Sequence, residues 1–376
     1  MISKPKVFNY IPLSIPDIRG NASEVVGNVI KDNWVSSAAP GVDVFEKQIA
    51  KLASSKFALA TINGSAALHL ALVTLGIGKG SKVIVPDLTF AATVNAVILA
   101  GATPIFVDVN NYSWTLDINL TKEAIRLHKP DAIVVVHTLG HPAEMDELKN
   151  ICSINKMLLI EDAAGAIGSR YKGKPLGSLG DAGVYSFNGN KILTTGGGGA
   201  LLLQSKKYEK KAKILYKQAR VANEYSYNYI GFNYRMPNIN AALGLSQLEY
   251  LPDLIKSKQH IANIYDDSLK GLKNIISMPR LDWGESSCWL YSLKTANKKS
   301  SLSLIKFLKN RKIESKLFWN ALSVQRPYKS FYNVLQGNSI KFSGTIVSIP
   351  CSSSLKKKDQ LTVIEALIEW NSYEKT

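Results

Sequence analysis

Between residues 57 and 205, short β-branched and aliphatic runs alternate with stretches of helical periodicity, and this rhythm constrains the fold more than any other feature. FALATI, KVIVP, PIFVDV, AIVVVH and MLLIED are short and almost wholly apolar, so they read as buried strands. Helical patterns lie between them at 65–76, 91–100 and 143–155. Strands that are apolar on both faces and joined by helices demand a mainly parallel sheet covered on both sides, an α/β architecture. A further pair, AGVYSF and ALLLQS, flanks the four glycines at 196–199. No helix start with GxGxxG spacing accompanies those glycines, so they read as a tight turn between strands. Past about residue 250 the pattern changes to Lys-rich helical segments (253–270, 301–311, 359–372) with isolated strands near 289–295 and 346–350. The 376 residues thus divide into a large α/β domain over 1–250, including an N-terminal segment, and a smaller α+β domain over 251–376.

Composition narrows the class without naming it. Apolar residues at 46% and charged residues at 20% argue against disorder, collagen and coiled coil. The formal net charge of +17 is uneven. Residues 1–188 hold 17 Lys and Arg against 16 Asp and Glu, whereas residues 189–376 hold 29 against 13. Such a basic half suits anionic partners, but its lysines lie in scattered groups without interleaved aromatics, so nucleic acid is not the expected partner. Three separated cysteines, Cys152, Cys288 and Cys351, offer no disulfide framework or zinc spacing and fit a reducing cytoplasm. The first twenty residues carry two of their prolines where a signal peptide needs an apolar block, and no run approaches the ~20 apolar residues of a membrane span. Neither secretion nor a membrane is expected.

Open α/β sheets bind ligands beyond the carboxyl ends of their strands. Gly64 and Ser65 open an Ala/Leu-rich helix after FALATI, and free amides with a hydroxyl at a helix N-terminus suit a phosphate. Ser is also a favoured N-cap anywhere. Phe90 follows the second strand, His137 the fourth and Asp162 the fifth. A carboxylate at the end of LLIED is costly to bury unless it meets a cation or strong donors. Ser186 and Lys191 follow AGVY. A lysine in that small, polar stretch would ordinarily be surface; beside a carboxylate and a phosphate site it can instead form a Schiff base with a carbonyl. Together these are the parts of a pyridoxal 5′-phosphate (PLP) site. The helix start holds the phosphate, the aromatic stacks on the pyridine ring, the acid keeps the ring nitrogen protonated, and the lysine carries the aldehyde.

The stretch EDAAGAIGSRYKGKPLGSLGDAGVYSFNGNKILTTGGGGA closely resembles the lysine-bearing signature of the DegT/DnrJ/StrS family of nucleotide-sugar aminotransferases. NWVSSAAPGVDVFEKQIA, INGSAALHLAL, VIVPDLTFAATVNAV, GFNYRMPNINAALGLSQLEYL and SIPCSSSL extend the resemblance, in order, from about residue 25 to 370. It implies a fold-type I transferase, with a mainly parallel seven-stranded sheet in the large domain, acting as a homodimer with shared active sites. By the same resemblance Lys191 carries the cofactor and moves protons, Asp162 pairs with the ring nitrogen and Phe90 stacks on the ring. Gly64, Ser65 and Ser186 hold the phosphate, helped by Asn233 from the partner chain. Trp34, Ser36, His137, Asn188 and Arg235 are the positions implied for substrate. His137 also fits a hydrogen-bonded imidazole behind the site, Trp34 a packing residue, and Asn233 and Arg235 a turn before the helix starting near Asn238. Two positions depart from the family pattern. Gly165 stands where many members carry Gln, His or Glu, and Ser323 near a position often held by histidine.

The activity implied is amino transfer from an amino acid, glutamate by resemblance, to the 4-keto group of a nucleotide-linked 4-keto-6-deoxy sugar. NWVSS and SFNGNKILTTGGGG point toward UDP-linked N-acetylhexosamines destined for a surface polysaccharide. A GDP- or dTDP-linked keto sugar is the alternative. Lys191 argues against the related dehydratases, which lack the lysine. A PLP-binding regulator using its basic half on nucleic acid is the rival from another class, though no helix-turn-helix or winged-helix pattern is legible.

Overall fold

A computed structural model of the chain describes residues 10–221 and 225–374. The first nine residues of the proline-containing N-terminal segment lie outside the described part. Eight strands form the large sheet: β1 (Phe57–Thr61), β2 (Lys82–Pro86), β3 (Thr103–Val107), β4 (Ala132–Val136), β5 (Leu158–Asp162), β6 (Ala182–Ser186), β7 (Gly199–Leu203) and β8 (Tyr332–Val334). Their order across the sheet is β1-β7-β6-β5-β4-β2-β3-β8. Only β7 runs against the rest, pairing antiparallel with β1 and β6, while the other pairs are parallel.

Apolar strands paired in parallel need a cover on each face, and the chain supplies one on each. Leu59, Val83, Val85, Phe106, Val134, Ile160, Val184 and Leu201 pack on one side with helices Gly64–Leu75, Ala91–Leu99 and Lys206–Leu215. Ala58, Ile84, Ile105, Ile133, Val135, Leu159 and Leu202 pack on the other with helices Gly41–Leu52, Ile118–His128 and Met145–Asn155. The alternation along each strand is the side-chain period of two, here apolar in both phases.

The expected sheet of seven strands gains an eighth. Three residues far along the chain, Tyr332–Val334, return to lie parallel to β3, which would otherwise present an open edge. So short a strand carries no periodic signal. Near residue 250 one helix, Asn238–Leu248, gives way to another, Leu251–Leu269. Beyond it, strands Ile275–Ser277, Tyr291–Thr295, Ile346–Ile349 and Lys316–Leu317 form an antiparallel sheet in that order, backed by helices Lys298–Asn310 and Lys357–Tyr373. Among the described residues no helix is long and apolar enough to cross a membrane.

Candidate active site

All seven parallel strands of the large sheet end on the same side, and the strand-end residues singled out by the sequence gather there because each ends a parallel strand or lies in the segment just after one. Asn63 caps the helix after β1: its side chain accepts from the Ala66 amide at 2.8 Å. The amides of Gly64 and Ser65, first in that helix, have no carbonyl a turn ahead of them to pair with. Ser65 is exposed and Gly64 buried. A Cβ on Gly64 would lie 3.1 Å from the Cβ of Ser186, so glycine lets the helix start close on the end of β6. Equally, a Cβ at Gly199, the first residue of β7, would lie 2.6 Å from the Asn63 carbonyl carbon. The glycine run thus serves the turn between β6 and β7 and admits the helix start beside it.

At the end of β5 two adjacent acids point to opposite faces. Asp162 Oδ2 accepts from Thr93 Oγ1 at 2.7 Å, and Oδ1 accepts from the Ala164 amide at 3.2 Å. Because Thr93 donates to the acid, it accepts from Thr89 at 2.9 Å. Burial pushes the Asp162 carboxyl up, against the pull of the Thr93 and Ala164 hydrogen bonds and of the nearby Lys191 amine. Glu161 accepts from the amides of Gly177, Leu179 and Gly180 at 2.8, 2.5 and 2.7 Å. Its fourth partner is His137 Nε2, at 3.1 Å. His137 Nδ1 accepts from the Ala143 amide at 3.2 Å, so the proton sits on Nε2 and is donated to Glu161. Both ring nitrogens of His137 are therefore used inside the protein.

Lys191 lies in the loop between β6 and β7, its amide bonded to the Asn188 carbonyl at 2.9 Å. Its residue keeps some accessible surface, yet its amine is enclosed, and burial pulls the amine down to about 7 against the opposing influence of Asp162. The Nζ sits 3.2 Å from the centroid of the Trp289 ring. Asn188 is exposed beside it. Phe90 precedes the Ala91–Leu99 helix with 58% of its surface open, its ring 6.0 Å from that of Trp319. An aromatic left this open at the strand ends has a face to offer a planar ligand.

A second group forms around the start of the Asn238–Leu248 helix. Asn238 Nδ2 donates to the Trp34 carbonyl at 2.7 Å, and the Asn238 amide donates to the Ser36 carbonyl at 3.2 Å. Arg235 donates to Asp43 Oδ1 and to the Ser37 carbonyl, each at 2.6 Å, while its buried Nε has no partner. Asn233 is exposed. Residues 234–236 run beside β1, tied by the Ile62 amide to the Tyr234 carbonyl and the Met236 amide to the Ala60 carbonyl. This strip therefore lies against the strand that leads into Gly64. Trp34 is 55% exposed.

Sequence reasoning missed three contributors, Thr93, Trp289 and Asp87, and left Glu161, beside Asp162 in LLIED, without a role. Thr93 is a polar residue within an apolar helix, a pattern that could have drawn notice to it. Trp289 comes from the segment before the Tyr291–Thr295 strand and carries no local motif. Asp87, at the end of β2, accepts from the Ser323 amide at 2.7 Å and the Ser323 hydroxyl at 3.0 Å. Ser323 is thus buried and pinned by an acid.

The arrangement fits the cofactor inferred from the sequence. Unpaired helix amides stand beside Ser186, a buried acid with two donors stands near an enclosed amine, and an open aromatic flanks them. Comparison with known proteins agrees. The DegT/DnrJ/EryC1/StrS aminotransferase family profile matches residues 16–368. GDP-perosamine synthase of Escherichia coli O157:H7 is 34% identical over 96% of this chain and 99% of its own. The Caulobacter vibrioides enzyme of that name is 35% identical over 95% and 97%. Among solved structures, Spr1654 of Streptococcus pneumoniae in a PLP form superposes with a TM-score of 0.91 at 25% identity, over 98% of this chain and all of that one. The fold is that of the PLP-dependent sugar aminotransferases. The chain belongs to the DegT/DnrJ/EryC1/StrS aminotransferase family.

Proposed function

We propose that the protein transfers an amino group from an amino acid, glutamate, to the 4-keto group of a nucleotide-linked 4-keto-6-deoxy sugar, in a homodimer with shared sites. The observation that carries the reading is the placement of the Lys191 amine and the Asp162 carboxylate at adjacent strand ends, within electrostatic reach of one another. Gly64, Ser65 and Ser186 would hold the phosphate of PLP, Phe90 its ring face, Asp162 its ring nitrogen and Lys191 its aldehyde carbon. Bound there, the cofactor supplies an electron sink that makes a carbon-bound proton removable.

The chain's own groups do the rest. An amine shifted to about 7 is partly neutral at physiological pH, so Lys191 can take a proton from carbon and return it to a neighbouring one. Asp162 is raised by burial in this structure. A cation set against it would favour its ionised form, and Thr93 and Ala164 orient its oxygens for that. We assign His137 to orienting Glu161 behind the site, and Trp34, Ser36, Asn188 and Arg235 to the substrate side. Asn233 would reach the phosphate of the partner's site. Exposed Trp34, Val35, Tyr229 and Ile230, in the segments that carry this strip, are apolar surface of the kind a second copy covers.

For the nucleotide, GDP-perosamine synthases among the relatives favour a GDP-linked acceptor over the UDP-linked N-acetylhexosamine suggested by the sequence motifs. Incubating the protein with glutamate and GDP-, UDP- and dTDP-linked 4-keto-6-deoxy sugars, then weighing the products, decides between them. Amination of the GDP-linked ketone alone supports the reading. Amination of the UDP-linked sugar alone replaces the nucleotide but keeps the reaction, and amination of none overturns the proposal. Sharing of sites is tested by mixing inactive Lys191→Ala with Asn233→Ala subunits, because a hybrid dimer with crossed residues regains one intact site.

A further inference from the structure

What the Lys191 amine touches is the face of Trp289, 3.2 Å from the ring centroid, well inside the range of a cation–π contact. Three observations show that the ring is placed rather than merely near. The indole N–H donates to the carbonyl of Asn190 at 2.9 Å, tying the ring to the residue next to the lysine. A Cβ at residue 165 would fall 2.4 Å from Cε3 and 3.0 Å from Cζ3 of the indole, so Gly165 is what admits the ring. Trp289 itself is 8% exposed, enclosed between the large-sheet loop and the second sheet. Among the described residues no carboxylate lies within ion-pair distance of Lys191, which leaves the ring as its near neighbour.

We propose that Trp289 is a positioning residue on which the Lys191 amine rests whenever it is not bonded to the cofactor, with Gly165 leaving the space the ring occupies. The inference deepens the function proposed above and rests on its assignment of Lys191. In amino transfer the lysine spends part of each cycle as a free amine that must stay beside the reacting carbon. A π face suits that task. It attracts the ammonium form, offers no acidic proton, and offers no lone pair strong enough to take the amine's own proton, so the nitrogen is held without being locked. A carboxylate at that distance would hold the amine protonated and idle. The same space explains Gly165: any side chain there competes with the ring.

Competitive acetylation of the cofactor-free protein, read at Lys191 by mass spectrometry across pH, reports the midpoint at which the amine loses its proton. In Trp289→Leu, which keeps an apolar cover but no π face, the midpoint is expected to fall by about half a unit or more. Trp289→Phe should stay within about 0.2 unit of the wild type because it keeps a ring. With the cofactor bound, Trp289→Leu should lower kcat about tenfold and leave KM within about twofold, and Trp289→Phe should recover most of the loss. Gly165→Ala should shift the midpoint in the same direction, and adding it to Trp289→Leu should add little, since both remove one contact. An unmoved midpoint with unchanged kcat in Trp289→Leu, or a Phe variant that behaves like Leu, overturns the inference. Borohydride reduction and peptide mapping of the wild type separate this from the parent reading. A cofactor adduct on Lys191 with an unmoved midpoint removes only the resting contact, whereas the absence of any adduct removes the assignment of Lys191 itself.

Discussion

Glu161 and Asp162 are neighbours on one strand with opposite surroundings, and the contrast separates an acid that serves the fold from one that awaits a ligand. Glu161 faces the loop at 177–180 and meets four donors, three of them main-chain amides. Four donors are about what a carboxylate can accept, so nothing is left to offer. Asp162 faces the helix start and the lysine loop with two donors. A buried carboxylate with spare acceptor capacity costs free energy until a cation or donor arrives, and that unmet capacity is what makes Asp162 a binding group. Alternation along β5 sends the two acids to these different fates.

The strongest attack on that contrast is to remove the amine that Asp162 faces. Lys191→Ala should lower amino transfer by about 1,000-fold or more, since proton movement at carbon has no other nearby base. Steady-state rates with glutamate measure it; a loss below tenfold would mean that the lysine is not the proton carrier. Exchanging the acids comes next. Asp162→Asn should cost about 100-fold in rate and little in unfolding free energy. Glu161→Gln should instead cost about 2–4 kcal/mol in stability, because amides built around a charge lose it. Denaturant unfolding paired with kinetics reads both, and the contrast fails if the two variants exchange symptoms.

How much of this was legible beforehand depended on the length of each signal. Strands of five apolar residues and the helices between them announce themselves by period, so β1 to β7 were readable from the chain. β8 has three residues and is held in place by the edge it covers, a tertiary cause with no local trace. In the site, Lys191, Asp162, Gly64, Ser65 and Ser186 were legible because parallel topology places strand ends together. Trp289 was not, because it reaches the lysine from the second sheet, about a hundred residues further along the chain. Gly165 was noticed as a departure, but the neighbour that fills its space became visible only in the fold.

A third prediction uses the cost of enclosing the Lys191 amine. The Lys191 amine is pulled down to about 7 from an ordinary 10.5. Between those values the unfolded chain binds the proton and the folded chain does not, so stability rises with pH over that window. Below about 7 the folded protein carries the full cost of a charged, enclosed amine. Lys191→Met should therefore stabilise the cofactor-free protein by on the order of 3 kcal/mol at pH 6, with the advantage shrinking toward pH 10. Urea midpoints across pH test it, and a constant difference would show that the amine stays exposed to solvent.

The smallest expected effect falls on the residue that links the two acids. His137 bonds to Glu161 through Nε2 and to the Ala143 amide through Nδ1, and its own amide donates to the Asp162 carbonyl. If the Glu161 side is purely structural, His137→Gln should cost about 1 kcal/mol, since glutamine can still donate to one partner and accept from the other. Transfer should slow less than about threefold, because a displaced Glu161 reaches the chemistry only through a slight shift at the end of β5. Thermal unfolding and steady-state kinetics on the same preparation give both numbers. A rate loss near 100-fold with unchanged stability would put the imidazole in contact with the reactants, and the division of labour between the two faces of β5 would then have to be redrawn.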